Sequence, residues 1–197
     1  MTPESPAGSQ PESHGALRRG DIGGGFDAAD CGICALDGRP RRLSDLVAAE
    51  SDRWIVRHHA PPAPLAGWFL LCARRHVQGP ARFSTDEAVD FGPALQDVSA
   101  AIERISGALR VYAIAFGEGS QHLHVHLVPR TADRPETAAW KIADWYREVE
   151  RGSRAAAPLD AIQASVESLR MALLASSSGR WYAPQALALG VRETASP

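Results

Sequence analysis

The run Gln121-His122-Leu123-His124-Val125-His126-Leu127-Val128 constrains this chain more than any other stretch. Strict alternation of polar and aliphatic residues is the period of a half-buried β-strand, whose successive side chains leave opposite faces. Leu123, Val125 and Leu127 are then expected in a core, and His122, His124 and His126 on the other face. Same-face neighbours along a strand stand ~6.5–7 Å apart, close enough to share one hydrogen-bonding network. A single strand histidine is ordinarily a satisfied polar residue; three in strict alternation need another account. Two chemistries remain open at this point: a transition-metal centre with imidazole ligands, and a nucleophilic histidine oriented by its neighbours.

The flanking sequence supplies a sheet and helices to hold that strand. Leu109–Phe116 (LRVYAIAF) reads as a strand, Gly117-Glu118-Gly119 as a turn, and the histidine run as the antiparallel partner. Upstream, WIVRHH (54–59) and GWFLLC (67–72) read as two strands separated by the proline-rich loop 60–64. Ser84-Thr85-Asp86-Glu87 has the form of a capping box. Behind it Phe91, Leu95, Val98, Ile102 and Ile105 recur on one helical face, with Gly92-Pro93 expected to bend the first turns. Two further helices are expected at Glu136–Glu150 and Leu159–Leu174, with an irregular tail after them. The order strand, strand, helix, strand, strand, helices is α+β, an antiparallel meander sheet packed by a long helix.

Residues 1–26 are rich in Gly, Pro, Ser and Glu and read as a disordered leader. Residues 27–132 are expected to form the domain, and 133–197 a C-terminal helical extension and tail. A formal charge of −2 gives no electrostatic reason for nucleic-acid binding. No apolar run approaches the ~18 residues of a membrane span and no signal pattern opens the chain, so a cytoplasmic protein is expected. Cys31-Gly32-Ile33-Cys34, with only Cys72 besides, speaks against a disulfide scaffold. The Cys-x-x-Cys spacing suits zinc, a redox pair, or two small buried residues, and Cys72, in an apolar run, reads as core.

The string His122-Leu123-His124-Val125-His126-Leu127-Val128-Pro129-Arg130 resembles the signature of the histidine triad (HIT) superfamily. Gly67–His76, GWFLLCARRH, is similar to that family's strand and basic turn ending in histidine, and the helix opening at Ser84 falls where the family has one. The resemblance covers roughly residues 30–130. It implies a HIT-like fold and a nucleotidyl hydrolase or transferase acting at an α-phosphorus on nucleotide or other phosphoryl substrates. His124 would be the nucleophile that forms a covalent nucleotidyl-imidazole. His126 would orient it and assist charge on the phosphate, with His122 completing the network. The resemblance also implies a structural zinc on Cys31, Cys34, His76 and His122, no catalytic metal, and a homodimer.

Three positions depart from the family pattern. Trp68 stands where many members have a histidine, Ala60 where an acidic residue holds the ribose, and Glu118-Gly119-Ser120-Gln121 where a Gly-Gln-Ser/Thr loop precedes the triad. Ser120, Gln121, Arg130 and Trp68 are the candidate substrate contacts. Such changes widen the expectation to an atypical nucleotide or phosphoryl substrate, a specialised biosynthetic transferase, or a zinc-stabilised module that binds nucleotide without turnover. His58 and His59 are expected to be solvated, with one of them a candidate for the pocket wall. Trp54 and Trp68 are candidates to stack on a base, though strand tryptophans are more often core, and Trp140, Trp145 and Tyr146 are expected packed on the domain or over the site.

Overall fold

A computed structural model of the chain describes residues 31–37, 46–117 and 120–184. The expected leader at 1–26 and residues 118–119 of the turn lie outside those residues, as does the end of the tail. Helix α1 (Gly32–Asp37) comes first, then strands β1 (Val47–Glu50), β2 (Trp54–His58) and β3 (Phe69–Ala73). Helix α2 (Thr85–Ser106), strands β4 (Arg110–Ile114) and β5 (His124–Arg130), and helices α3 (Ala139–Glu150) and α4 (Leu159–Leu174) follow. The strands form one sheet in the order β1-β2-β3-β5-β4, antiparallel at every pairing. Four of them are the expected strands.

β1 is an addition to that expectation. Its sequence, VAAE, lacks the branched and aromatic side chains that mark a strand. Small residues are what the position accepts, because Ala48 and Ala49 are fully buried beneath α4, whose Arg170 donates from Nη2 to the carbonyl of Val47 at 2.9 Å and from Nε to that of Ala48 at 3.3 Å. The histidine strand also starts later than the alternation suggests, at His124. Leu123 N–H bonds the carbonyl of Val77 at 2.6 Å, outside the β4–β5 ladder. α3 likewise begins at Ala139, preceded by a 3-10 turn at Pro135–Thr137.

The two faces of the sheet are covered differently. On one, Trp54, Val56, Phe69, Leu71, Leu123, Val125 and Leu127 pack against Val98 and Ile102 of α2 and Ile162, Val166, Leu169 and Leu173 of α4. Burying each such side chain stabilises by ~1.5–3 kcal/mol, so this layer is the main source of stability. α2 opens on the expected capping box, Ser84 Oγ accepting from Glu87 N–H and the Glu87 carboxylate accepting from Ser84 N–H. It runs through Pro93 and closes at Gly107 in the left-handed conformation, φ 63°. On the opposite face α1 packs over Leu70 and Cys72, and α3 packs over Trp68 and Val128 through Ile142, Trp145 and Val149. The pairings Leu70–His126 and Cys72–His124 put the two strand histidines on this second face, between the two helices.

Candidate active site and metal-ligand cluster

His124 and His126 are half-buried neighbours, ring centroids 5.2 Å apart. The Nδ1 of His124 lies 2.7 Å from the carbonyl oxygen of His122. A carbonyl only accepts, so the neutral ring donates from Nδ1 and keeps its lone pair on Nε2. The orientation expected from His126 is thus supplied to His124 by the backbone of His122. His124 lines a small cleft of about 70 Å³ together with Gln78–Pro80, Ala115–Gly117, His122 and Leu123. Phe116, 69% exposed, stands at its rim with its ring 6.4 Å from that of His126.

Behind His126 is an aromatic wall. Trp68, only 6% exposed, donates its indole N–H to Nδ1 of His126 at 3.0 Å. His59 packs against Trp68, His126 and Tyr146 with centroid separations of 5.6, 6.1 and 5.5 Å. Burial first, then the nearby His124 and His59, push His126 down to about 3. Burial lowers His59 as well, against its bond to the Ala60 carbonyl. Tyr146 is pushed up to about 12 by burial and by Glu150. The solvated pair expected at 58–59 is therefore corrected. His58 is 1% exposed, and its Nε2 accepts from the Gly67 N–H at 3.0 Å while its Nδ1 donates to the His59 carbonyl at 2.8 Å. Tyr146 was expected only to pack or cover. Its place beside His59 was readable from α3, where Ile142, Trp145, Tyr146 and Val149 share one helical face.

His122 turns the other way. It is 1% exposed, its Nε2 donates to the Ala73 carbonyl at 2.7 Å, and its Nδ1 lies 3.3 Å from Cys34 Sγ and 3.6 Å from Cys31 Sγ. Cys34 Sγ is also 3.5 Å from Nδ1 of His76. The four donor atoms of Cys31, Cys34, His76 and His122 lie within 4.8 Å of one another. A four-coordinate ion with bonds of ~2.0–2.3 Å has nitrogen–sulfur edges of ~3.6 Å, so these gaps fit a tetrahedral metal site. Burial opposes ionisation of Cys31, but bonds from Ser120 and the N–H groups of Cys34 and Ile33 outweigh it and bring the thiol to about 6. The carbonyl of Ala73 holds the nitrogen of His122 that faces away from the cysteines, the arrangement usual for a histidine able to ligate a metal through its other nitrogen.

The remaining candidates divide. Ser120 Oγ is 3.4 Å from Cys31 Sγ, beside the cysteine–histidine cluster, and the Gln121 amide accepts at 2.7 Å from Gln78, which lines the cleft. Arg130 is not brought there. It lies six residues along β5 from His124, ~20 Å away, and its guanidinium caps the carbonyls of Thr131 and Arg134 and the hydroxyl of Thr137. Trp54 is core, fully buried, with its indole N–H donating to Asp90 at 2.8 Å. Cys72 is buried with Leu70 and Ile33, as expected.

No protein-family model and no curated protein sequence matches the chain. Solved structures do. A zinc-bound histidine triad family protein from Mycobacterium smegmatis superimposes with a TM-score of 0.56 at 15% identity, over 78% of this chain and 100% of that one. A Hit-like protein involved in cell-cycle regulation from Bartonella henselae, solved with an unknown ligand, gives 0.54 at 16% identity, over 75% of this chain and 98% of that one. A histidine triad protein from Bradyrhizobium japonicum gives 0.50 at 21% identity, covering 68% and 96%. The chain has the fold of the histidine triad superfamily, five antiparallel strands with helices in an α+β arrangement. At these identities the likeness is one of fold.

Proposed function

We propose that the protein is a nucleotidyl hydrolase or transferase of the histidine triad type, with His124 as its nucleophile. The observation that carries this reading is the bond from His124 Nδ1 to the His122 carbonyl, which presents an Nε2 lone pair at the cleft. In the first step Nε2 attacks phosphorus, the phosphorus–nitrogen bond forms, and the bond to the leaving group breaks. The leaving atom accepts a hydrogen bond from Nε2–H of His126, which stays neutral, and takes its proton from solvent. In the second step water or another acceptor attacks phosphorus and loses its proton to solvent, the phosphorus–nitrogen bond breaks, and the pair of electrons returns to Nε2 of His124. The backbone around Gly117 lines the cleft and would supply donors to phosphate oxygens, with Ser120 and Gln121 as the further candidates nearby in sequence.

Cys31, Cys34, His76 and His122 would hold a structural zinc, which supplies a cross-link and no open coordination position. The protein would act in the cytoplasm as a homodimer. The ribose-holding acid is replaced by Ala60, and His59, Trp68 and Tyr146 fill the wall behind His126. Those features favour, as a second reading, an acceptor other than water or an atypical nucleotide.

The test is a panel of nucleoside phosphoramidates, dinucleoside polyphosphates and nucleotide sugars, incubated with wild type and His124→Asn and read by mass spectrometry. Wild type releases nucleotide from at least one member, and His124→Asn falls by ~10⁴-fold or more. Equal release by both variants defeats the nucleophile assignment. Tight nucleotide binding without product would make the protein a binding module.

A further inference from the structure

The bond between Trp68 and His126 has only one polarity. An indole nitrogen carries its proton at every pH a folded protein meets and accepts nothing, so Trp68 donates and Nδ1 of His126 accepts at 3.0 Å. The single proton of a neutral His126 ring must then sit on Nε2. His124 is fixed in the opposite sense by the His122 carbonyl at 2.7 Å, proton on Nδ1 and lone pair on Nε2. Two imidazoles 5.2 Å apart are thereby held as opposite tautomers.

From this we infer that Trp68 is a positioning residue that assigns the two roles: it keeps His126 an Nε2–H donor and leaves His124 as the one strand histidine with an outward lone pair. A histidine at position 68 could ionise, or turn and accept, and would fix neither tautomer uniquely; tryptophan does neither. The indole is also held in place. It is 6% exposed, packed with Leu65, Val128 and Trp145, and flanked by His59 and Tyr146 at 5.6 and 5.8 Å. Burial, with His124 and His59 beside it, keeps the His126 ring neutral, so a tautomer is what Trp68 selects. The use made of the two roles rests on the phosphorus chemistry proposed above; the tautomer assignment does not.

The test is therefore a spectrum before it is an assay. Full-length protein labelled with ¹⁵N is examined at pH 7 by long-range ¹H–¹⁵N correlation of the imidazole rings, His126 being assigned by its loss in His126→Gln. Wild-type His126 shows the pure Nε2–H pattern. Trp68→Phe keeps a ring in the wall and removes the donor, and His126 then shifts to an average with substantial Nδ1–H character. With any substrate the panel yields, Trp68→Phe lowers kcat by ~10–100-fold with KM within twofold. An Nδ1–H ring at His126 in wild type, or an unchanged Nε2–H ring in Trp68→Phe, overturns the inference. If Trp68→Phe does not fold, the wild-type pattern decides alone. A silent panel defeats the phosphorus chemistry while the spectrum still judges Trp68.

Discussion

His58 is a neutral imidazole with both nitrogens engaged, one to Gly67 N–H and one to the His59 carbonyl. It thereby ties both ends of the loop between β2 and β3, and burial holds it down to about 4 from an ordinary 6.5. Between those two values the unfolded chain binds the proton and the native chain does not, so stability rises with pH. The contribution is complete above pH 6.5 and is lost as pH falls toward 4. At pH 5 the loss amounts to ~2 kcal/mol. Urea unfolding at pH 7.5 and pH 5 is expected to show that loss in wild type and to show it reduced by about that amount in His58→Gln, whose amide can make both bonds without titrating. Equal losses in the two proteins would remove His58 from the account. Nothing in the sequence marked this role. Alternation says that His58 and His59 leave opposite faces, but not that both faces are covered at that end of the sheet. Trp68 was equally ambiguous: its burial depends on α3, some 70 residues later in the chain.

At the scale of elements, legibility followed the length of the periodic signal. α4 spans the residues its apolar spacing indicated, and α2 begins at its capping box, because sixteen and twenty-two residues repeat one face many times. β1, with four residues and two alanines, repeats nothing. α1 has six residues, below the length at which a helix stands alone in water. Its hold on the sheet comes from Ile33 packing over Leu70 and Cys72 and from the cysteines that flank its first turn. The proposed zinc is thus a fastening for α1, and its removal has a local signature. Cys34→Ser is expected to purify with about a tenth or less of the wild-type zinc, to lose amide-exchange protection in 32–37, and to keep it in β2, β3 and α2. Full zinc content in that variant would exclude Cys34 as a ligand. Global loss of protection would show that the metal holds the sheet itself.

At the scale of the whole molecule, the sheet formed by the described residues is finished on one side and open on the other. β1 meets Tyr182 through a pair of backbone bonds with Glu50, and Arg170 takes its carbonyls. β4 has β5 on one flank and no described strand on the other, with Arg110 and Ala113 exposed. Leu109 and Phe116, exposed by 63% and 69%, lie at its two ends. An uncovered edge with apolar ends invites pairing with another strand, and a second copy of the same edge satisfies every open N–H and C=O by symmetry. Sedimentation at micromolar concentration is accordingly expected to give a dimer. Ala113→Arg, at an exposed position that a monomer tolerates, is expected to give mostly monomer with the sheet's circular dichroism unchanged. A dimer that survives this substitution must use another surface, and a monomeric wild type would mean that the edge is guarded by residues outside those described. The outcome bears on the site as well. Phe116 lies both at the end of β4 and against His126, so a dimer built on this edge brings a second chain to the rim of the cleft. Monomeric Ala113→Arg should then retain the His126 tautomer, which Trp68 sets from within one chain, while losing affinity for whatever the wild type turns over.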